Sequence, residues 1–314
     1  MRRSSGTGMA MYQPARLVQC LPGMVLLGAM LLSVAGCNDP EPEPKPEPAP
    51  APVQVSTPVT PQALAAAQSF RDQSTQLLEA LNRCTEQLLS LGNQFLEQTQ
   101  ADTLAALQTQ WQTCYDLYQT STVLQGYGEA QQSNLAEARS RLGNPLSMPG
   151  FIDSVQGYPF SGIVNDASLP LDAETLRQQH GVTDDSEVSI GFHVVAFLLW
   201  GEHHLQPELP TRPLTDYEIA TSWEDEVTDL PIEAHPNNRR RQLLKLTLEL
   251  LAADSQALLG SWLNGSLPDS MEGFEKWRGR QIQALQQQPD NQVLQSLSST
   301  LEAGTTEAGA TGPG

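Results

Sequence analysis

Between residues 62 and 302 apolar side chains recur at intervals of three and four, as in Leu77, Leu78, Leu81, Leu88 and Leu91, and again in Leu104, Leu107, Trp111 and Leu117. That spacing lays one apolar stripe along each of a series of helices and offers no strand an alternating face. Strand signals are almost absent over the span, so the expected fold class is all-α. Helices are predicted over 62–98, 102–125 and 133–142, the last stopped by Gly143-Asn144-Pro145, where glycine caps and proline cannot continue. An irregular piece punctuated by Gly and Pro runs from 145 to 170. Beyond it, helices are expected over 172–180, 187–200 and 237–263, from Trp277 to Leu285, and over 293–301. A helical part of about 240 residues is large for one simple bundle and natural for two packed side by side. The organisation expected is an N-terminal bundle at 62–144, a crossing segment at 145–170 and a C-terminal bundle at 171–302.

Residues 1–36 carry Arg2, Arg3 and Arg16, an apolar run from Leu21 to Val34, and small residues leading to Cys37. This is the layout of a lipoprotein signal peptide, with Cys37 as the lipidated first residue of the mature chain and everything after it outside the cytoplasm. Two or three acyl chains give the stable attachment that a single chain does not. The Pro-Glu-Pro-Glu-Pro-Lys-Pro tract that follows, 37–61, disfavours helix and sheet and favours an extended tether. It acts either as a spacer or as a plain connector. Residues 303–314, rich in Gly, Thr and Ala, read as a disordered tail.

The formal net charge is -19. A mature chain without the three signal arginines stands near -22 (-19 minus 3), which argues against nucleic acid and against an electrostatic grip on anionic lipid. Of the four cysteines, Cys84 and Cys114 remain once Cys20 is lost with the signal and Cys37 is lipidated. Their midpoint, (84 + 114)/2 = 99, falls at the turn between the first two predicted helices, so both stand at one height on an antiparallel hairpin. They form either a disulfide or, facing otherwise, two buried free thiols.

The run from Gly191 to Gly201 holds a single ionisable residue, His193, among apolar neighbours. It resembles the Gly-x-His-x-x-Glu motif of the imelysin-like family, with Ala196 at the Glu position. Two further segments resemble that family in the same order: Phe151-Ile152-Asp153 with Gly162-Ile163-Val164-Asn165-Asp166, and Arg212-Pro213-Leu214-Thr215-Asp216-Tyr217. The family comprises bacterial envelope proteins, including the nominal imelysin peptidases and the periplasmic binding component of Efe-type iron uptake. The resemblance implies two helical bundles with the His-bearing helix near their junction, and binding of iron or another transition metal. An envelope protein partner is the remaining partner expectation, beside the membrane held through Cys37 and the metal ion itself. The outer membrane is favoured over the inner, because Asn38 follows the lipidated Cys.

His193 is either a metal ligand or a core imidazole satisfied by a carbonyl or by Asp153 or Asp166. With Ala196 in place of an acid, a metal here needs substitute ligands. The nearest candidates follow Gly201 in Glu202-His203-His204, so the candidate set is His193, Glu202 and His203, residue types that suit several transition metals. The same stretch also reads as a solvated loop. Asp153, Asn165, Asp166, Arg212 and Asp216 are expected to line a polar pocket with His193, and Ala196→Glu is expected to restore metal affinity if His193 faces it. No catalytic residue is assigned: the chain has neither His-Glu-x-x-His nor Gly-x-Ser-x-Gly. The functional readings, in order, are a metal-acquisition or other binding protein, a non-catalytic interaction scaffold, and an imelysin-type peptidase.

Overall fold

The computed structural model describes residues 56–223 and 229–305. The expected signal peptide, Cys37, most of the tether and the tail beyond 305 lie outside the described residues. Those described form eight α-helices with short 3-10 turns and no named strand: α1 (Pro61–Glu97), α2 (Ala101–Ser121), α3 (Glu129–Gly143), α4 (Ala173–Gln179), α5 (Phe192–Trp200), α6 (Pro236–Leu263), α7 (Met271–Leu285) and α8 (Gln292–Glu302). The chain is all-α. Among these residues no helix is long and apolar enough to cross a membrane.

Local chemistry sets the helix starts. Thr60 Oγ1 accepts from Ala63 N at 3.2 Å, with Pro61 at the first helical position, where its missing N–H costs nothing. Asp172 caps α4 through Thr175 N at 2.7 Å, and Ser270 caps α7 through Gly273 N at 3.2 Å. The end of the proline-rich tract is docked: Thr57 O accepts from Met271 N at 3.0 Å, and Pro58 bridges Ser270. The first residues of the expected tail form a 3-10 turn, Ala303–Thr305, in which Gly304 is buried near Ala66 and Phe274.

At 37 residues, α1 is about 55 Å long and packs along both α2 and α6, so helices from the two halves of the chain share one core. Phe70 of α1 sits edge-on to Trp277 of α7 at 5.4 Å and near Trp262 of α6 at 6.4 Å. Cys84 of α1 and Cys114 of α2 are joined, with Cα atoms 5.5 Å apart.

The helix expected over 187–200 begins only at Phe192. Gly191 has φ +97°, which no α-helix allows, and a Cβ there would lie 2.7 Å from the carbonyl oxygens of Arg141 and Leu142. Val188 and Ile190 are buried without being helical, because a continuous apolar run carries no mark of where a helix starts. The second helix likewise ends at Ser121 rather than 125.

Candidate functional site

The crossing segment folds back on itself. Ile163 N and Val164 N donate to Phe151 O and Ile152 O, each at 3.0 Å, so the two resembling stretches pair with one another. Gly162 permits the approach: at φ +86°, any Cβ would stand 2.4 Å from Asp153 N.

This fold places Asp153, fully buried, between two arginines from elsewhere in the chain. Arg240 of α6 donates from Nε to Oδ2 at 2.6 Å and from Nη2 to Oδ1 at 3.2 Å. Arg212 brings Nη1 within 2.9 Å of Oδ2 and within 3.2 Å of Asp216 Oδ2. Ser154 N donates to Oδ1 at 2.8 Å, and Asn165 Nδ2 lies 3.4 Å from it. Burial alone would push the Asp153 carboxyl up, but the Arg212 charge and the Arg240 hydrogen bond and charge outweigh it and hold it below the usual carboxylate range. Arg240 is in turn raised by Asp153 against the opposing effect of its own burial.

Arg240 belongs to a run of three. Arg239 donates to the carbonyls of Ile163, Val164 and Leu169, while Arg241 reaches Tyr217 O at 2.7 Å, Thr99 Oγ1 at 3.1 Å and Leu96 O. The Arg212 guanidinium lies 5.5 Å from the Phe197 ring centre, and its Nε is buried without a hydrogen-bond partner, as is the hydroxyl of the fully buried Tyr217. Beside Arg212 opens a cleft of about 430 Å³, walled by Val155, Leu209, Pro210 and Pro213 and carrying Glu202 and Asp216.

His193 faces elsewhere. Its Nε2 lies 3.3 Å from the hydroxyl of Tyr115 on α2, which also accepts from Gln119 Nε2, leaving the phenol proton free to go to the imidazole. Tyr115 stacks on Trp111 at 4.8 Å, and Trp111 Nε1 donates to Phe192 O at 3.0 Å, fixing α2 against α5. The His204 ring stands 6.2 Å from that of His193, stacked on Trp200 at 6.0 Å and edge-on to Trp111 at 5.5 Å. Both histidines are half-buried. Burial lowers the pKa of His193; burial, then the neighbouring His193 and His203, lowers that of His204. Both imidazoles are therefore held neutral, that of His193 with its Nε2 lone pair turned to the Tyr115 hydroxyl.

Of the expected pocket, Asp153, Asn165, Arg212 and Asp216 come together. Asp166 does not: it is exposed, and its Oδ1 accepts from Ser168 N at 3.0 Å and Ser168 Oγ at 2.6 Å, which lowers its pKa. His193 lies outside this pocket, beside Tyr115. The expected metal set is also dispersed, for Glu202 Oε2 accepts from Gln156 N at 2.8 Å and His203 Nδ1 donates to Leu209 O at 2.7 Å. Among the described residues no group of three or more His, Cys, Asp and Glu side chains is arranged to hold a metal ion. Ala196, where the family acid is missing, is fully buried.

One site residue escaped the sequence reading. Arg240 was signalled by a run of three arginines in a chain where 36 acids face 17 lysines and arginines. His204, which the Glu202-His203-His204 stretch offers but the expected ligand set omits, is brought near His193 by the 3-10 turn Gly201–His204 that follows α5.

No curated protein matches this chain. The family model Peptidase M75, described as Imelysin, matches residues 74–308, a span that takes in the Asp153 cluster, His193 and all eight helices but the start of α1. With three quarters of its length inside that match, the chain belongs to the imelysin family.

Proposed function

We propose that this imelysin-family protein is a binding protein of the bacterial cell envelope, tethered through Cys37, that takes up a transition-metal ion beside His193. The carrying observation is the pairing of His193 with His204 at 6.2 Å between ring centres, next to the Tyr115 hydroxyl. Two neutral imidazoles and a phenol oxygen are donors that iron, copper and zinc all accept, and so few protein donors leave coordination positions open. Among the described residues the hydrogen-bond partner of His193 is the Tyr115 hydroxyl, itself a potential metal ligand, rather than a carboxylate or a carbonyl. Iron is the ion the family resemblance favours. The net charge of -19 adds a general attraction for cations.

The test is metal analysis of protein purified without an affinity tag, followed by titration with ferrous, ferric, cupric and zinc ions. Saturable binding of one equivalent that is lost in both His193→Ala and His204→Ala supports the reading. Non-saturable uptake of every ion, or binding untouched by either change, overturns it.

A second reading, an interaction scaffold, draws on Tyr158 and Phe160, which are 70% and 87% exposed on the crossing segment. Exposed aromatics so close together suit contact with another protein.

A further inference from the structure

We infer that Tyr115 sets the oxidation state of the bound ion: coordinated as a phenolate, it makes the His193 site one for ferric rather than ferrous iron. The inference rests on the reading of His193 and His204 as a metal site, and adds to it an anionic ligand and a preference. The starting observation is a distance. His193 Nε2 and the Tyr115 hydroxyl oxygen lie 3.3 Å apart with the phenol proton between them. Two donors at that separation, each about 2.05 Å from one ion, subtend roughly 107° at it, close to the tetrahedral angle. An ion can therefore take the place of the proton with little movement of either side chain. An imidazole centre stands roughly 3.2 Å from the metal it binds, so two on one ion lie at most about 6.4 Å apart. Those of His193 and His204 are 6.2 Å apart, within that limit.

The neighbours of Tyr115 prepare its oxygen for this role. Gln119, one turn further along α2, donates its amide to that oxygen, and an outer hydrogen bond of this kind orients a ligand and steadies charge on it. The ring is held by its stack on Trp111, which is tied in turn to Phe192 O. Tyr115, His193 and His204 are all half-buried, so the group keeps contact with solvent and an ion has a way in. Among the described residues no Asp or Glu joins the two histidines in a metal-holding group, which leaves discrimination by charge to the phenol. Neutral imidazoles carry no charge to favour one oxidation state. A phenolate attracts a triply charged ion more than a doubly charged one, and its hard oxygen suits the harder ferric ion. As the iron to oxygen bond forms, the phenol proton passes to water and no electron is transferred.

The experiment is titration of the full chain, wild type and Tyr115→Phe, with ferric ion supplied as its nitrilotriacetate complex, with ferrous ion under anaerobic conditions, and with zinc. Binding is followed by visible absorption and by quenching of the tryptophan fluorescence, since Trp111 and Trp200 flank the site. Wild type is expected to develop a visible phenolate-to-iron charge-transfer band with ferric ion, and to bind it at least about tenfold more tightly than ferrous ion. Tyr115→Phe keeps the ring and its stack but loses the oxygen. It is expected to abolish the band and the preference while zinc, held by the histidines, binds within about threefold of wild type. Saturable binding of zinc or ferrous ion with no ferric band overturns the inference and leaves the metal site standing. A band or a preference that survives in Tyr115→Phe overturns it as well, as does a folded variant that loses zinc together with ferric ion, which makes Tyr115 a structural residue. Wild type that binds none of the three ions saturably overturns both the inference and the reading beneath it.

Discussion

Arg240 reaches 87 positions back along the chain to grip both oxygens of Asp153, with Nε 2.6 Å from Oδ2. The pair joins the crossing segment to α6 at a point where neither side chain has more than a trace of solvent contact. Buried pairs of this kind are costly to break from one side, because the survivor keeps its charge and loses its partner.

Asp153→Asn is accordingly expected to destabilise the protein by about 3 to 5 kcal/mol, leaving two arginines around a neutral amide. Urea unfolding followed by circular dichroism measures this, and a loss under about 1 kcal/mol would show that the cluster is not holding the segment.

Acid should weaken the fold through the histidines. In the folded chain His193, His204 and His180 all have pKa values below the ordinary one, burial being the main cause in each. Below about 6.5 the unfolded chain therefore binds protons that the folded chain refuses. The stability held by these neutral imidazoles is complete above that pH and is lost as pH falls toward the folded values. Urea midpoints across about pH 5 to 7.5 should decline on the acid side, and His193→Asn with His204→Asn should flatten the decline. Any metal bound by the pair should leave over the same range.

Gly191→Ala and Gly162→Ala are each expected to cost more than about 1 kcal/mol, since both backbones have positive φ and both Cβ atoms would strike backbone. Gly279, helical and with open space around its Cβ position, is the control, and Ala there should be neutral or stabilising.

Ala196→Glu restores the acid of the family motif but puts it in the core, where Ala196 has no exposed surface. Its expected effect is a loss of at least about 2 kcal/mol without a gain in metal affinity. An increase in affinity on titration would mean that α5 turns this position toward His193.

Replacing Cys84 and Cys114 together by Ser opens a loop with a sequence separation of 30 and is expected to cost about 3 to 4 kcal/mol. Thermal melts in oxidised and reduced buffer should differ for wild type and coincide for the double variant.

Much of the fold was legible because helices announce themselves locally. Leucine spacing marked α1 and α2, and Gly143-Asn144-Pro145 ended α3 where expected. The two cysteines equidistant from the first turn are explained by one antiparallel hairpin. The start of α5 was not legible, since Val188 and Ile190 are as apolar as the helix they precede and only the backbone angle of Gly191 separates them. The site was legible by half. Segments marked by resemblance supplied Asp153, Asn165, Arg212 and Asp216, but their second arginine comes from α6, and no local pattern ties Arg240 to Asp153. Which way His193 points depends on Tyr115 and Trp111 of another helix, a relation that motif spacing does not encode.

The three consecutive arginines at the head of α6 give the molecule a single point of release. Arg239 holds the Ile163–Val164 turn, Arg240 holds Asp153, and Arg241 holds the end of α1 together with the Tyr217 carbonyl. Because successive side chains on a helix fan out around its axis, one turn of backbone secures three loops that never meet in sequence. Fraying of that turn frees all of them at once, so in hydrogen exchange the amides of Ile163, Val164 and the first turn of α6 should behave as one cooperative unit, protected and exposed together.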